Sequence, residues 1–181
     1  MDSLRGHLLI ANPALEDPNF ARAVVLVGDH GEEGAMGIIL NRRSPATVSA
    51  AVPELAGPWS GDDSLFLGGP VRPSVVLVLA EFLESELAGI LVTERIGFLA
   101  PDAELEEMTQ FTTRARVFAG YAGWGPGQLE AEVENTDWLL APALDNDVFN
   151  EDPDGLWTAV LERMGARYAL LARMPPDPSV N

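Results

Sequence analysis

The apolar residues of this chain come in short runs, and each run stops at glycine, proline or a polar cluster. The segments 23–27, 36–40 and 75–80 are typical of this pattern. Runs of this length between turn residues predict β-strands. A membrane-spanning helix needs about 18 or more consecutive apolar residues, and no run approaches that length. The chain is therefore expected to build a sheet and to contain no membrane span.

The same pattern, followed along the chain, predicts more strands than helices. A polar, glycine-rich segment at 28–34 separates two of the strands and predicts a hairpin with a solvated loop. The two strands of this hairpin do not alternate between apolar and polar residues, which indicates that both of their faces are covered. The predicted strands are 7–11, 23–27, 36–40, 65–67, 75–80, 90–92, 96–99, 114–121, 138–141 and 167–173.

Helices are predicted at four places, of which the segment 153–164 carries the clearest apolar stripe. That stripe includes Trp157, which is expected in the core. The segment before it, 145–154, is rich in acidic residues and predicts a loop, with 145–152 on the surface. The other helices are predicted over 47–55, from Asp102 to Met108, and over 128–135.

Strands that outnumber helices and are joined by short turns predict an α+β fold. The expected architecture is one domain over 1–181, with a mixed, mostly antiparallel sheet packed by a few helices. A length of 181 residues fits a single domain. The proline-rich tail at 175–181 is expected to be flexible.

Charge and composition limit the classes of function. The chain has 11 arginines, no lysine, 28 acidic residues and a net charge of −17. Such a charge repels nucleic acids and anionic membranes, so direct nucleic-acid binding is not expected. The absence of cysteine excludes disulfides, thiolate metal sites and cysteine nucleophiles. The N-terminus lacks the long apolar segment of a signal peptide, and a cytoplasmic location is expected.

Two short segments invite a catalytic or phosphate-binding interpretation. The chain has two histidines, His7 and His30, and the second is followed by acidic residues. They leave open a hydrolase that uses His30 or His7 with nearby carboxylates, although the chain lacks a Gly-x-Ser-x-Gly motif. The segment 123–127 is glycine-rich, but it lacks the lysine of a phosphate loop and Gln128 stands where a dinucleotide fingerprint needs glycine. No metal site and no cofactor are predicted.

Four segments together resemble the bacterial YqgE/AlgH family, over nearly the whole chain. The signature is GYAGWGPGQLE at 120–130, supported by GHLLIA at 6–11, EEGAMG at 32–37 followed by Asn41-Arg42, and LGGPV at 67–71. The resemblance implies a bifurcated sheet curled into a pseudo-barrel with helices around it. The family carries the label of a transcriptional regulator, without an established enzyme activity, cofactor or DNA-binding motif.

These observations favour a non-enzymatic binding or regulatory module that acts through an unidentified protein or small-molecule partner. Any transcriptional role is expected to be indirect, and the hydrolase remains the alternative. Trp124 has two open interpretations, because it either serves recognition or plugs the end of the barrel. The predicted binding residues are Asn41, Arg42, Gly68, Gly69, Tyr121, Trp124 and Gln128.

Overall fold

The computed structural model describes residues 2–59 and 63–175, and residues 176–181 of the tail predicted as flexible lie outside this part. The strands are β1 His7–Ala11, β2 Val24–Gly31, β3 Gly34–Ile39, β4 Arg43–Thr47, β5 Ser64–Leu67, β6 Val71–Phe82, β7 Ile90–Leu91, β8 Ile96–Phe98, β9 Thr112–Trp124 and β10 Trp138–Pro142. The helices are α1 Val48–Ala51, α2 Leu105–Phe111, α3 Gln128–Glu134, α4 Asp145–Val148, α5 Leu156–Arg163 and α6 Ala166–Ala172, with 3-10 turns at Pro53–Leu55 and Ser85–Leu87.

One bifurcated sheet organises the fold. Its main path runs β10-β1-β2-β3-β9-β6-β8-β7. Strand β9 forks on one side, because its middle pairs in parallel with β5 and its C-terminal end pairs antiparallel with β3. The remaining strand pairs are antiparallel, including that of β4 with β5. The predicted α+β class and the mixed, mostly antiparallel, bifurcated sheet are confirmed.

The sheet curls without closing. Its two ends, β10 and β7, do not pair with each other. The curl nevertheless brings the segment after β7 next to the residue before β1, since a Cβ on Gly6 would lie 2.9 Å from the carbonyl oxygen of Val92. The result is an open pseudo-barrel with helices around it.

The core fills both faces of the central strands, as predicted for the hairpin. In β2, Val24 and Leu26 face a main cluster inside the curl, and Val25 and Val27 face a second cluster on the opposite side. Helix α5 covers the main cluster with Trp157, which is only 2% exposed. The prediction that Trp157 belongs to the core is confirmed.

The last predicted strand, 167–173, is wrong, because this segment forms helix α6. Gly165, with φ +114°, ends α5 and turns the chain into the new helix. Tyr168, Leu171 and Ala172 then pack against the main cluster, which is the spacing of one helical face.

The predicted acidic loop at 145–154 is wrong over its first part. Residues Asp145–Val148 form α4, and Asp147 is only 5% exposed. Asp147 is buried because Arg163 of α5 pairs with its carboxylate, while Val148 and Phe149 pack into the main cluster. The expectation that 145–152 lies on the surface therefore fails at these three residues.

Other boundaries shift for local reasons. The hairpin is confirmed, but its strands extend through most of the predicted 28–34 loop and leave only residues 32–33 between them. The predicted 47–55 helix splits into α1 and the turn Pro53–Leu55, because proline has no N–H to continue α1. Helix α2 begins at Leu105, later than the predicted Asp102.

Candidate functional site

The glycines of the 67–71 segment close the fork of the sheet. The N–H of Gly68 donates to the Ala119 carbonyl and the Gly68 carbonyl accepts from Ile39, both at 2.8 Å. A Cβ on Gly68 would lie 2.3 Å from the carbonyl oxygen of Gly120, a distance that no side chain tolerates. The predicted binding residue Gly68 therefore has a demonstrable structural task, because it lets the chain pass between β3 and β9.

Gly69 needs glycine for two reasons. Its φ is +155°, and a Cβ there would lie 2.2 Å from the carbonyl carbon of Tyr121. Tyr121 itself is half-buried, pairs with Val71 and packs against the main cluster. Two of the segments that carry the family resemblance, 67–71 and 120–130, thus meet across the fork.

Asn41 ties the segment between β1 and β2 to the end of β3. Its Oδ1 accepts from the Val24 N–H at 2.8 Å, and its Nδ2 donates to the Arg22 carbonyl at 2.9 Å. The oxygen and the nitrogen of the side-chain amide therefore both have main-chain hydrogen-bond partners. Asn41 is accordingly an internal brace beside the fork.

The guanidinium of Arg42 holds the segment between β1 and β2, as Asn41 does. It donates to the carbonyl oxygens of Asn19 and, at 3.1 Å, Ala21. Burial lowers the pKa of Arg42, and the negative charge of Asp17 opposes this effect. Within the described residues its hydrogen bonds go to main-chain carbonyls and not to a carboxylate.

Trp124 lies in a cluster of three aromatic rings. Its ring centroid is 6.3 Å from that of Phe20 and 6.1 Å from that of Trp138, and the latter two are 5.5 Å apart. Trp124 is only 6% exposed. This placement favours the interpretation of Trp124 as a plug between the sheet and α3.

Glu132 of α3 fixes the orientation of that cluster. One carboxylate oxygen accepts the indole N–H groups of Trp124 and Trp138, both at 2.8 Å. The other accepts from Gln128 Nε2 at 2.9 Å, because residues four apart share one face of a helix. The exposed Gln128 also accepts the Gly125 N–H at 3.0 Å.

A small cleft opens beside this cluster, and we call it the Trp124 cleft. Its volume is about 200 Å³, and it presents three carboxylates, from Asp17, Glu132 and Asp137, with no arginine in its lining. In the described part of the chain, the Asp137 carboxylate has no hydrogen-bond or ionic partner. The lining residues are Leu15, Asp17, Phe20, Gly123, Trp124, Gln128, Glu132, Asp137 and Trp138.

A second pocket lies at the fork of the sheet, and we call it the fork pocket. Its volume is about 220 Å³. The predicted binding residues therefore separate: Arg42 and Gly69 line the fork pocket, and Trp124 and Gln128 line the Trp124 cleft. Asn41, Gly68 and Tyr121 line neither. The lining residues of the fork pocket are Asn19, Ile39, Arg42, Leu67, Gly69, Pro70, Pro73 and Ala119.

His30 is buried in β2, and the predicted solvated loop is wrong at this residue. Its Nδ1 accepts from the Leu4 N–H at 2.9 Å, and its Nε2 lies 3.0 Å from Glu130 Oε1. The carboxylate of Glu130 has a pKa below its ordinary value, mainly through a hydrogen bond from its own main chain, with His30 adding to the effect. Both ring nitrogens are occupied, so neither is free to activate a water or a serine.

His7 is the other histidine of the hydrolase alternative. Its Nδ1 is buried without a hydrogen-bond partner among the described residues. The hydroxyl of Ser3 donates to the main-chain oxygen of His30 and not to its ring. In residues 2–59 and 63–175, no group of three histidines and carboxylates is arranged to hold a metal ion.

Glu81 is a buried charge that the sequence did not single out. Its carboxylate accepts from Thr113 at 2.7 Å and from Arg114 at 2.9 Å, and Arg95 lies at 3.7 Å. Burial raises the pKa of Glu81, but these hydrogen bonds and charges together lower it further, below its ordinary value. The cluster joins β6 to β9 and stabilises the sheet away from both cavities.

The fold and its glycine-closed fork define a bifurcated-sheet α+β protein, and two solved structures share it. A crystal structure from Corynebacterium diphtheriae matches with a TM-score of 0.86 at 30% identity, covering 93% of this chain and 91% of that one. The solution structure of the AlgH protein from Pseudomonas aeruginosa matches with a TM-score of 0.72 at 29% identity, covering 96% and 95%.

Sequence comparison gives the same assignment. A sequence model of the AlgH-like family matches residues 8–169. A UPF0301 protein of Streptomyces avermitilis is 40% identical over 187 residues, covering 100% of this chain and 97% of the relative. One from Thermobifida fusca is 39% identical over 190 residues, covering 99% and 96%. The chain belongs to the AlgH-like family, a bacterial family whose activity is uncharacterised.

Within residues 2–59 and 63–175, none of the helices has the length and apolar character needed to cross a bilayer.

Proposed function

We propose that this protein is a non-enzymatic binding module, and that the Trp124 cleft takes a cationic group of its partner. The observation that carries the proposal is the composition of the cleft: three carboxylates and three aromatic rings around about 200 Å³, with no arginine in the lining. A lysine or arginine side chain of a partner protein, or a small organic cation, is the matching chemistry.

The charges of the cleft are not equivalent. Glu132 already accepts three hydrogen bonds, from Trp124, Trp138 and Gln128, so its role is to orient the rings. Asp137 has no partner within the described residues. Asp17 accepts the Asn19 N–H at 2.8 Å, is exposed, and interacts electrostatically with Arg42 without a hydrogen bond to it. Asp17 and Asp137 are therefore the carboxylates that an incoming cation would meet.

Two further features support a cationic partner. A net charge of −17 concentrates cations near the whole surface and speeds their encounter with the cleft. Aromatic rings attract cations through their quadrupole, by about 0.5–1 kcal/mol at exposed sites, and Phe20 is the half-buried ring among the three that line the cleft. We further propose that the protein has a regulatory role in the cytoplasm and that this role is indirect. The protein would act through its partner and would not itself contact DNA.

The test uses the indole N–H resonances of Trp124 and Trp138 as reporters. Titration with arginine amide is expected to shift both resonances saturably at millimolar concentrations. The double variant Asp17→Asn, Asp137→Asn should weaken the binding by about fivefold, because each exposed ion pair is worth about 0.2–1 kcal/mol. The matched control is the double variant Glu86→Gln, Glu94→Gln, which removes two exposed acids away from the cleft. Absence of saturation, or equal losses in the variant and the control, would overturn the proposal.

A further inference from the structure

The fork pocket is chemically the opposite of the Trp124 cleft. Among the described residues, its lining is mostly apolar residues and glycine, and Arg42 is the one charged residue in it. Leu67, at its rim, is 38% exposed although it is a large apolar residue. An apolar pocket with one cation is suited to a ligand that carries an apolar body and one negative charge.

Arg42 has hydrogen-bonding capacity left for such a ligand. Its three hydrogen bonds, to the carbonyls of Pro18, Asn19 and Ala21, use three of the five N–H groups of a guanidinium. These carbonyl oxygens are neutral and orient the group, and the one negative charge that acts on it within the described part of the chain is that of Asp17, with which it forms no hydrogen bond. Since burial also strips part of its water, the guanidinium gains more from a carboxylate here than it would on an open surface.

A second polar residue lines the same pocket. Asn19 lines the pocket, and its side-chain amide has no hydrogen-bond partner within the described residues. Its main-chain carbonyl is already held by Arg42. Two segments, one before β2 and one after β3, therefore bring an amide without a hydrogen-bond partner and a fixed guanidinium to the lining of one pocket, a combination that suits the two oxygens of one carboxylate.

We propose that the fork pocket binds a small organic carboxylate with a short apolar body, with Arg42 and Asn19 at the carboxylate and Leu67 against the apolar body. A volume of about 220 Å³ is that of a few water molecules and fits a body of only several carbon atoms. A peptide is the poorer occupant, because β5 already pairs on both sides, with β4 and β9, and offers no free edge to a peptide main chain. The lining of this pocket shares no residue with that of the Trp124 cleft, although the charge of Asp17, in that cleft, acts on Arg42.

The test compares two probes of equal shape, isovalerate and uncharged isovaleramide, by their effects on the Gly69 amide and Arg42 Nε–H resonances of the full chain. Isovalerate is expected to shift both saturably, and isovaleramide to bind roughly tenfold more weakly, because it lacks the charge-assisted hydrogen bonds. Equal binding of the two probes, shifts confined to other regions, or no saturable shift would overturn the proposal.

Variants assign the effect to the pocket. Arg42→Gln is expected to abolish isovalerate binding, while Arg167→Gln, with the same change of charge at an exposed position of α6, should retain it. Since Arg42 also holds the 18–21 turn, Leu67→Glu provides a second variant that leaves this brace intact and places a negative charge at the rim. Retained binding in Leu67→Glu would overturn the proposal, as would tighter binding of a leucine-terminated peptide than of isovalerate. Asp137→Asn, which alters the Trp124 cleft, should leave isovalerate binding unchanged.

Discussion

Arg163 forms a two-bonded ion pair with Asp147. Nη1 lies 2.6 Å from Oδ1, and Nη2 lies 2.9 Å from Oδ2. The same carboxylate accepts the Leu144 N–H at 2.8 Å, which starts α4. The pair fastens α4 to α5 and closes the main core at that end.

Replacement of Asp147 is expected to destabilise the protein by about 2 kcal/mol, the cost of losing charge-assisted hydrogen bonds at a buried carboxylate. The variant is Asp147→Ala, and the measurement is the free energy of unfolding in urea. Asn146→Ala, exposed in the same helix, should change it by less than about 0.5 kcal/mol. Equal, small effects would show that the pair contributes nothing.

Trp124→Ala is expected to cost about 3–5 kcal/mol, as other buried large aromatic residues do, because it empties the centre of the Phe20–Trp138 cluster. Thermal or urea unfolding measures the loss. Gln128→Ala is the comparison, since the side chain is exposed and should cost less than about 1 kcal/mol. A Trp124→Ala protein that melts like the parent would instead assign this residue to recognition.

Gly68→Ala should destabilise the sheet by about 3 kcal/mol, because the new methyl group would collide with main chain that cannot move independently. Gly57→Ala is the matched control, as a Cβ there meets nothing within 4 Å. Urea unfolding of both variants compares the loss of stability at a glycine packed within the fork with the loss at a glycine that has open space around it. A mild Gly68→Ala effect would mean that the fork tolerates separation of its strands.

Acid should weaken the contribution of Glu81. Its folded-state pKa lies below the ordinary value of 4.5, so its stabilisation is fully present above that value and is lost as the pH falls through the folded pKa. Glu81→Gln is therefore expected to cost about 1–3 kcal/mol at neutral pH and much less near pH 3. Urea unfolding across this range measures the difference, with the exposed Glu94→Gln as control. A difference that stays constant with pH would contradict the assigned role.

The isolated chain is expected to show no sequence-specific DNA binding. The reason is its charge of −17 without any lysine, which leaves few groups to neutralise phosphates. Fluorescence anisotropy at low salt is the sensitive measurement, since low salt favours weak electrostatic binding. A specific duplex bound at nanomolar concentration would refute this expectation.

Local patterns predicted the parts of the fold that local physics determines. Short apolar runs bounded by turns gave the hairpin and most of the strands, and a stripe at helical spacing placed Trp157 in the core. The final helix was missed because 168–172 is almost continuously apolar, apart from the hydroxyl of Tyr168, and such a run does not distinguish a strand from a buried helix. Only its packing against α5 and the sheet resolves that ambiguity.

The candidate site was predictable only in part, for a related reason. Trp124 and Gln128 are close in sequence and were singled out together. Asp17 and Asp137 join them only because the sheet brings distant segments to one place. The contact of His30 with Glu130 spans 100 positions, and no local pattern announces it.

The pairing of the first strand with the last has a consequence for synthesis of the chain. β1 lies between β2 and β10, with His7 opposite Pro142, and the indole of Trp157 donates to the Ala11 carbonyl at 2.9 Å. A ribosome delivers β1 first and α5 well over a hundred residues later. Until then helix α5 is not available to cover the inward face of the nascent sheet. A chain stalled before residue 156 therefore exposes apolar strands, which favours aggregation or binding by chaperones.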